Sequence, residues 1–579
     1  MKKRNLILLV SLFSLNSIAM VSCDNSNNSS NENESSKPSN EVSTKPTSDP
    51  YDDFVDPSSE EIISNVILNE YKEKNYVYDQ NVSNENGSVA YEIFVRSFYD
   101  YDGDGIGDFL GVKEKLPYLQ DLGVKTIWLM PIHESPSYHG YDVIDYYGVN
   151  SQYGTMSDFE DMVEEAKEYN IDVMIDIVFN HSSTRNEWFK KSYNDYKAKN
   201  TSENSKADWY CWSETSRNGY SKYNGDSKAY YECRFDSSMP DLNTQNEKVR
   251  AEFINILKYW IGKGVKGFRF DAVKYFDYEN TSYNTEFLTY IADAIKSYDE
   301  SIYFVGECWD NINTINNYYK STFDSFFKFN SSLEGNGKDT ILGQVKAINN
   351  SNEFAKMIES QEKMMKENNP NAYSSYFLSN HDTDRASNSF TGDYAKMAAS
   401  VTYLMPGMPF MYYGEEILLK GKRSTSPDDM TDVKRRLPMV WDGTNDEGLC
   451  AFPENGKEHL DTTVQVSAGV KQQLETDYSV LNHYKKVINI RNKYSFIKDS
   501  VFTNLTENIN QVHDNVLAYK LSLGDEYIIV IHNFEKYNVE IDVSSFASEI
   551  LDEVSCSKLT PELENGILKL GTLSTVILK

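Results

Sequence analysis

"SDFEDMVEEAKEYNIDVMIDIVFNH", residues 157–181, carries two periodicities in one stretch. In its first half Phe159, Met162, Val163, Ala166 and Tyr169 recur at helical spacing behind a Ser157/Glu160 pair that reads as a capping box. Its second half, "DVMIDIVFN", is a short β-branched apolar run ending in polar residues, the pattern of a buried strand. A strand buried on both faces and fed by an amphipathic helix belongs to a parallel sheet with crossover helices.

The same alternation extends in both directions. "YEIFVRSF" (91–98), "KTIWLMPI" (125–132), "KGFRFDAV" (266–273), "IYFVGECW" (302–309), "YFLSNHD" (376–382) and "PFMYYGEE" (409–416) read as further strands, and "FDSFFKF" (323–329) as a weaker one. Between them "EKVRAEFINILKYW" (247–260) repeats Val249, Phe253, Ile256, Leu257 and Trp260 along one helix face. Eight strands with intervening helices predict an α/β fold, an eight-stranded (β/α)8 TIM barrel. Residues 183–214, polar and aromatic with little periodicity, lie where one helix would suffice and read as an irregular domain inserted after the third strand. Beyond about residue 495 short alternating runs, "VLAYKLSL" (516–523), "EYIIVIHNF" (526–534) and "VEIDV" (539–543), predict a C-terminal antiparallel β-sandwich domain.

The balance of 57 basic against 88 acidic residues, a net charge of −31, would repel phosphate backbones and anionic head groups, so nucleic acid is excluded as a partner. The N-terminus, "MKKRNLILLVSLFSLNSIAMVSC", has a basic start, an apolar stretch short for a membrane span, and small residues before Cys23. It resembles a bacterial lipoprotein signal, with Cys23 as the lipidated first residue of the mature protein. The polar stretch that follows cannot offset its ordering entropy and reads as a tether. The expected organisation is a signal peptide at 1–22, a tether at 23–60, barrel at 61–180, an inserted domain at 181–245, barrel again at 246–490 and the β domain at 491–579. The protein is expected outside the cytoplasm, held to the bacterial membrane only by its lipid, as a monomer. Of the five remaining cysteines, Cys211 and Cys233 share the insertion and could form a bridge, whereas no spacing suits a zinc site.

"DYDGDGIGDF" (100–109) begins like an EF-hand, but the twelfth position, which would need a bidentate Glu, is Gly111. What remains is a set of hard oxygen donors, Asp100, Asp102, Asp104, the Ile106 carbonyl and Asp108, whose mutual repulsion a calcium ion would relieve.

In a parallel barrel the active site lies at the C-terminal ends of the strands, so the polar residues ending the apolar runs should converge. They are acidic: Asp176, Asp271, Glu307 and Asp382. Crowded carboxylates raise at least one pKa, which supplies an acid beside a nucleophile, the requirement of glycosidic bond cleavage. With "DIVFNH" (176–181), "MPDLN" (239–243), "GFRFDAVKY" (267–275), "VGECWD" (305–310), "FLSNHD" (377–382) and "GMPFMYYGEE" (407–416) in this order, the chain resembles the α-amylase family of retaining glycoside hydrolases over about 90–579. The resemblance implies Asp271 as nucleophile, Glu307 as general acid/base and Asp382 as stabiliser of the transition state. Arg269 should keep Asp271 ionised, and His181 and His381 should bind the same sugar ring. Tyr141 resembles the stacking aromatic at the cleavage site, with Asp142 and Arg385 flanking it; Lys274 joins the substrate-binding set, and Asp176 is a supporting group.

The resemblance also makes the aspartate loop a structural calcium site, because some branches of the family carry one after the first strand. A second calcium site used by many α-amylases is in doubt, since Lys274-Tyr275 stands for Lys-His and "MPDLN" ends in Asn243. The "MPDLN" motif places the chain between oligo-1,6-glucosidases and neopullulanase-like enzymes. Ala272 after the nucleophile, where α-1,6-specific members tend to have Val, favours α-1,4-glucosidic bonds of starch-like glucans and maltooligosaccharides. An exo-acting α-glucosidase or a neopullulanase-type enzyme is the alternative. A non-catalytic glycan-binding protein should have lost one of the three carboxylates, and all three are present.

Overall fold

The computed structural model describes residue 84 and residues 87–278, 280–335, 340–347, 350–423, 432–452, 468–509, 513–556 and 559–579. Residues 1–83, with the expected signal peptide, Cys23, the tether and the start of the first barrel segment, lie outside the described residues.

Seven strands form one parallel sheet. In chain order they are β1 (Ala90–Ile93), β2 (Thr126–Leu129), β3 (Asp172–Ile177), β7 (Gly267–Phe270), β8 (Tyr303–Gly306), β9 (Ser325–Phe326) and β10 (Phe410–Tyr412), and the spatial order is β10-β1-β2-β3-β7-β8-β9. Parallel bridges Phe327–Ser375 and Phe377–Phe410 join the two edges through residues 375–377, which closes the ring. The weak candidate at 323–329 thus forms a strand, whereas "YFLSNHD" contributes only single bridges at the eighth position. No helix among the described residues is long and apolar enough to cross a membrane.

The helix before β3 runs Met156–Glu168 and buries Phe159, Met162, Val163 and Ala166. Its capping box is Thr155 with Asp158, not Ser157 with Glu160: the Thr155 hydroxyl accepts from the Asp158 N–H while the Asp158 carboxylate accepts from the Thr155 N–H. The two-residue difference arises because Thr155 takes the extended backbone (φ −94°, ψ 167°) that an N-cap needs. Helix Glu247–Gly262 is capped by Asn246 and buries the five apolar residues that its periodicity marks.

The insertion is more regular than its sequence suggests. Helix Glu187–Ala198 packs beside a three-stranded sheet of β4 (Trp212–Ser213), β5 (Tyr220–Lys222) and β6 (Tyr230–Glu232), in order β4-β6-β5. Phe189 anchors it, with Trp212 stacked on its ring at 5.3 Å and Tyr210 and Tyr231 edge-on. Cys211 and Cys233 are free thiols. In the β4–β6 register Trp212 pairs with Tyr231, so Cys211 falls opposite Glu232 and not opposite Cys233, which explains the missing bridge.

The expected boundary at residue 491 cuts helix Val480–Lys493, whose Arg491 is fully buried and donates to the carbonyls of Tyr403 and Met405. The β domain starts at β11 (Val501–Asn504) and continues through β12 (Val516–Leu523), β13 (Glu526–Asn533), β14 (Val539–Asp542), β15 (Ile550–Ser555), β16 (Glu562–Glu564), β17 (Ile567–Leu570) and β18 (Ser574–Leu578). Two antiparallel sheets, β11-β12-β13-β18-β15 and β14-β17-β16, enclose a core that includes Val516, Ala518, Ile529, Ile531, Ile541 and Leu568. Alternate residues of β12 face the barrel instead: Tyr519 donates to the Leu404 carbonyl.

Candidate active site

Three of the candidate carboxylates sit on a barrel strand or one residue beyond it, and the fourth follows the bridged segment at the eighth position. Asp271 follows β7, Glu307 follows β8, Asp176 lies within β3, and Asp382 follows the bridged segment 375–377. The backbone binds two of them together: the Asp271 N–H donates to the Ile177 carbonyl and the Glu307 N–H to the Phe270 carbonyl. Between them Ala272 adopts a left-handed conformation (φ 48°, ψ 44°), which costs a non-glycine residue energy and is retained where the surroundings require it. The turn aims the Ala272 N–H at Glu307 Oε2, 2.8 Å away.

Arg269, on β7 and 1 % exposed, is the charge centre. Its Nη1 lies 2.6 Å from Asp271 Oδ1 and 2.9 Å from Asp176 Oδ1, and its Nη2 lies 3.7 Å from Glu307 Oε2. A buried guanidinium is tolerable only with such partners, and they in turn depend on it. Burial raises the Asp176 carboxyl to about 7 against the pull of Arg269. Burial likewise raises Glu307 to about 7, with Arg269 opposing it and Asp271 reinforcing it. Glu307 is therefore a carboxylic acid near neutral pH, beside a carboxylate paired with arginine at contact distance.

Asp382 is held differently. His381 Nε2 lies 3.0 Å from its Oδ2 and Arg436 Nη2 lies 2.9 Å from its Oδ1. Burial opposes its ionisation, but His381 and Arg436 outweigh burial and hold the carboxyl far below the usual carboxylate range. Tyr141 closes the network: its hydroxyl lies 2.7 Å from His381 Nε2 and 3.1 Å from Asp176 Oδ2, and its ring stacks on the imidazole at 5.7 Å and 15°.

The remaining sequence candidates fall into place less uniformly. The polar atoms of His181 and His381 are given to protein partners: His181 Nε2 to the Tyr141 carbonyl, and His381 to Glu92, Tyr141 and Asp382. Asp142 is buried and accepts from the Ser135 and Ser137 hydroxyls. Arg385, 1 % exposed, donates to the carbonyls of Arg435 and Tyr413, so those polar atoms are committed to the backbone and not offered to a sugar. Lys274 donates to the Trp309 carbonyl and to Asp310 Oδ2 at 2.8 Å, just beyond the acid. Tyr275, which stands where the family's Lys-His pair has its histidine, stacks on Tyr278 and meets the tilted ring of Phe235, and the Asn243 amide donates to the Asp208 carbonyl.

Three participants were not marked in the sequence. Glu92 is a polar residue inside the apolar run of β1, and its inward position was the available signal. Arg435 and Arg436, in "RRLPMVWD" (435–442), end a single 3-10 turn, Val433–Arg435, too short to show a periodicity; Arg435 Nη1 donates to the Asp382 carbonyl and Arg436 grips its carboxylate.

In the aspartate loop one carboxylate oxygen each from Asp100, Asp102 and Asp108 lie within 4.8 Å of one another, a convergence of hard donors that fits a calcium ion. Asp104 stands outside that cluster, its Oδ1 accepting from the Ile106 N–H at 2.7 Å. Asp100 accepts from the N–H groups of Gly103 and Gly105, and Asp108 from those of Tyr101 and Gly111, so the loop is also closed by its own backbone.

Comparison with known proteins agrees with this geometry. The profile of the alpha-amylase catalytic domain matches residues 92–500. Alpha-amylase 3 of Dictyoglomus thermophilum is 36% identical over 519 residues, covering 87% of this chain and 95% of its own. Oligo-1,6-glucosidase of Parageobacillus thermoglucosidasius is 29% identical over 539 residues, covering 78% of this chain and 90% of its own. Among solved structures, Eubacterium rectale Amy13B superposes with a TM-score of 0.79 at 35% identity, covering 87% of this chain and 97% of that one. The alpha-amylase from H. orenii gives 0.72 at 33%, covering 85% and 99%.

Proposed function

The chain belongs to the alpha-amylase family of glycoside hydrolases, and we propose that it hydrolyses α-1,4-glucosidic bonds of starch-like glucans and maltooligosaccharides with retention of configuration. The observation that carries this reading is the sharing of one buried guanidinium by Asp271 and Glu307, with only Asp271 in close contact. Glu307, protonated near neutrality, gives its proton to the leaving glycosidic oxygen while Asp271 attacks the anomeric carbon and forms the glycosyl-enzyme. The Glu307 carboxylate then takes a proton from a water molecule as that water attacks the anomeric carbon, and the bond to Asp271 breaks, which frees the sugar and restores the carboxylate. Asp382, kept ionised by His381 and Arg436, faces the positive charge that develops on the ring, and Tyr141 offers its ring to the same sugar.

The choice of bond is supported by Ala272, whose small side chain follows the nucleophile, and by the name of the 36% identical relative, an alpha-amylase. The 29% identical oligo-1,6-glucosidase relative keeps a glucosidase as the alternative. A side-by-side assay decides: maltoheptaose and soluble starch should be cleaved, and isomaltotriose should be cleaved at least tenfold more slowly, about the discrimination that one methylene-scale pocket contact supplies. Preferential cleavage of isomaltotriose would overturn the α-1,4 assignment.

The aspartate loop is proposed to bind one structural calcium through Asp100, Asp102 and Asp108, with the Ile106 carbonyl as a further donor. An ion that binds only the folded chain adds stability by mass action. Chelation should lower the melting temperature, and Asp102→Asn should do the same in calcium-containing buffer. A melting temperature indifferent to both treatments would reduce the loop to an acidic turn. Lipid anchoring at Cys23, a location outside the cytoplasm and a monomeric state are proposed on the sequence features alone; metabolic labelling with a fatty acid tests the first.

A further inference from the structure

We infer that Glu92 is a positioning residue for the reaction: from the first barrel strand it holds His381 doubly protonated, so that the Nε2 proton stays directed at Asp382 and Tyr141. The inference rests on the reading that Asp382 serves glycosidic cleavage.

Glu92 lies on β1 in register with Trp128 of β2 and Tyr412 of β10, and is 1 % exposed. Its Oε1 meets His381 Nδ1 at 2.5 Å. His381 is completely buried, with Tyr141 stacked on one side and Trp128 edge-on at 5.7 Å. The charged groups around the ring come from five places. Glu92 approaches from β1, and Asp176 acts from β3 through the Tyr141 hydroxyl. Arg269 of β7 lies over the Trp128 and Tyr141 rings. Asp382 adjoins in sequence, and Arg436 Nε donates to the His381 carbonyl.

A neutral imidazole cannot satisfy this arrangement. With its single proton on Nε2, the Nδ1 lone pair would face Glu92; with the proton on Nδ1, the Nε2 lone pair would face Asp382 Oδ2 at 3.0 Å. Only the imidazolium donates to a carboxylate at each end. Burial alone would push the imidazole toward neutrality, yet Asp382 and Glu92 reverse it and raise the group to about 9. The proton on Nε2 then leaves the Tyr141 hydroxyl free to donate to Asp176, so a hydrogen-bonded path runs from Glu92 through His381, Tyr141 and Asp176 to Arg269.

Glu92→Gln keeps the shape and an acceptor for Nδ1–H but removes the charge. Two readings of the full-length protein test the role. With nitrogen-15-labelled histidine, the His381 ring, identified by its loss in His381→Asn, should be imidazolium at pH 8 in the wild type and neutral in Glu92→Gln. In kcat/KM on maltoheptaose, the alkaline fall should change from a one-proton to a two-proton slope, and a unit above the new His381 pKa the variant should be about tenfold less active than the wild type corrected for its own slope. Glu92→Asp, which keeps the charge, should retain the imidazolium signal. Imidazolium persisting in Glu92→Gln, a neutral His381 in the wild type, or a uniform loss of rate with unchanged slope would each overturn the inference. If Glu92→Gln does not fold, the wild-type spectrum alone still decides, since a neutral His381 there overturns the inference. Failure of the wild type to cleave any glucan would overturn the functional reading instead, and the NMR result stands apart from it.

Discussion

Glu307→Gln is expected to lower turnover of maltooligosaccharides by a factor of about 10² to 10⁴, the share usual for a general acid, and to leave their binding nearly intact. The amide preserves the shape and can still accept from the Ala272 N–H, so the turn at Ala272 should survive. What it lacks is a proton to give. The pH profile supplies the control. Burial holds the Glu307 carboxyl up at about 7, and the acid must be protonated to work, so kcat/KM of the wild type should fall as pH rises through about 7. In Glu307→Gln that fall should disappear together with the rate. Residual activity above about one-hundredth of wild type, with the same alkaline fall, would assign the proton to another group.

Arg269→Met should be the most damaging substitution to both fold and chemistry. It removes a guanidinium with contacts to three carboxylates and leaves Asp176 and Asp271 facing each other in a buried site. Breaking a buried pair by deleting one partner costs about 3–5 kcal/mol, because the orphaned charge remains. The guanidinium also fixes the Asp271 oxygen that attacks, so its loss leaves the nucleophile without the contact that orients it. Melting temperature and turnover should therefore fall together. Arg269→Lys should restore part of the stability and little of the rate, since one ammonium cannot present a planar fork to Asp176 and Asp271 while facing Glu307. An unchanged melting temperature in Arg269→Met would mean that the ion pairs are structurally idle.

The parts of this site legible in the sequence are those where periodicity locates a residue. Asp271 and Glu307 end apolar runs, and any such residue in a parallel barrel faces the same opening. Arg436 had no such signal, because it caps a three-residue 3-10 turn too short to carry a periodicity; only the folded chain brings it to Asp382. Glu92 was hidden in the opposite way, inside a run read as a buried strand, although a barrel interior admits a polar residue wherever a partner can reach it. Arg385 was misplaced because the sequence puts it three residues beyond Asp382 but cannot show that its side chain turns back to the Tyr413 carbonyl. The helix cap moved from Ser157 to Thr155 for a related reason: several cap-forming residues precede the helix, and backbone geometry chooses among them. Asp104 shows the limit of motif spacing, since alternate aspartates need not all point to one centre.

The central claim is that Asp271 attacks the anomeric carbon and Glu307 serves first as acid and then as base. The most direct measurement is proton NMR of the first product released from maltoheptaose, recorded before mutarotation. Two inversions at one carbon predict the α-anomer first. The β-anomer first would contradict the account, because it would make Asp271 a base for water and not a nucleophile.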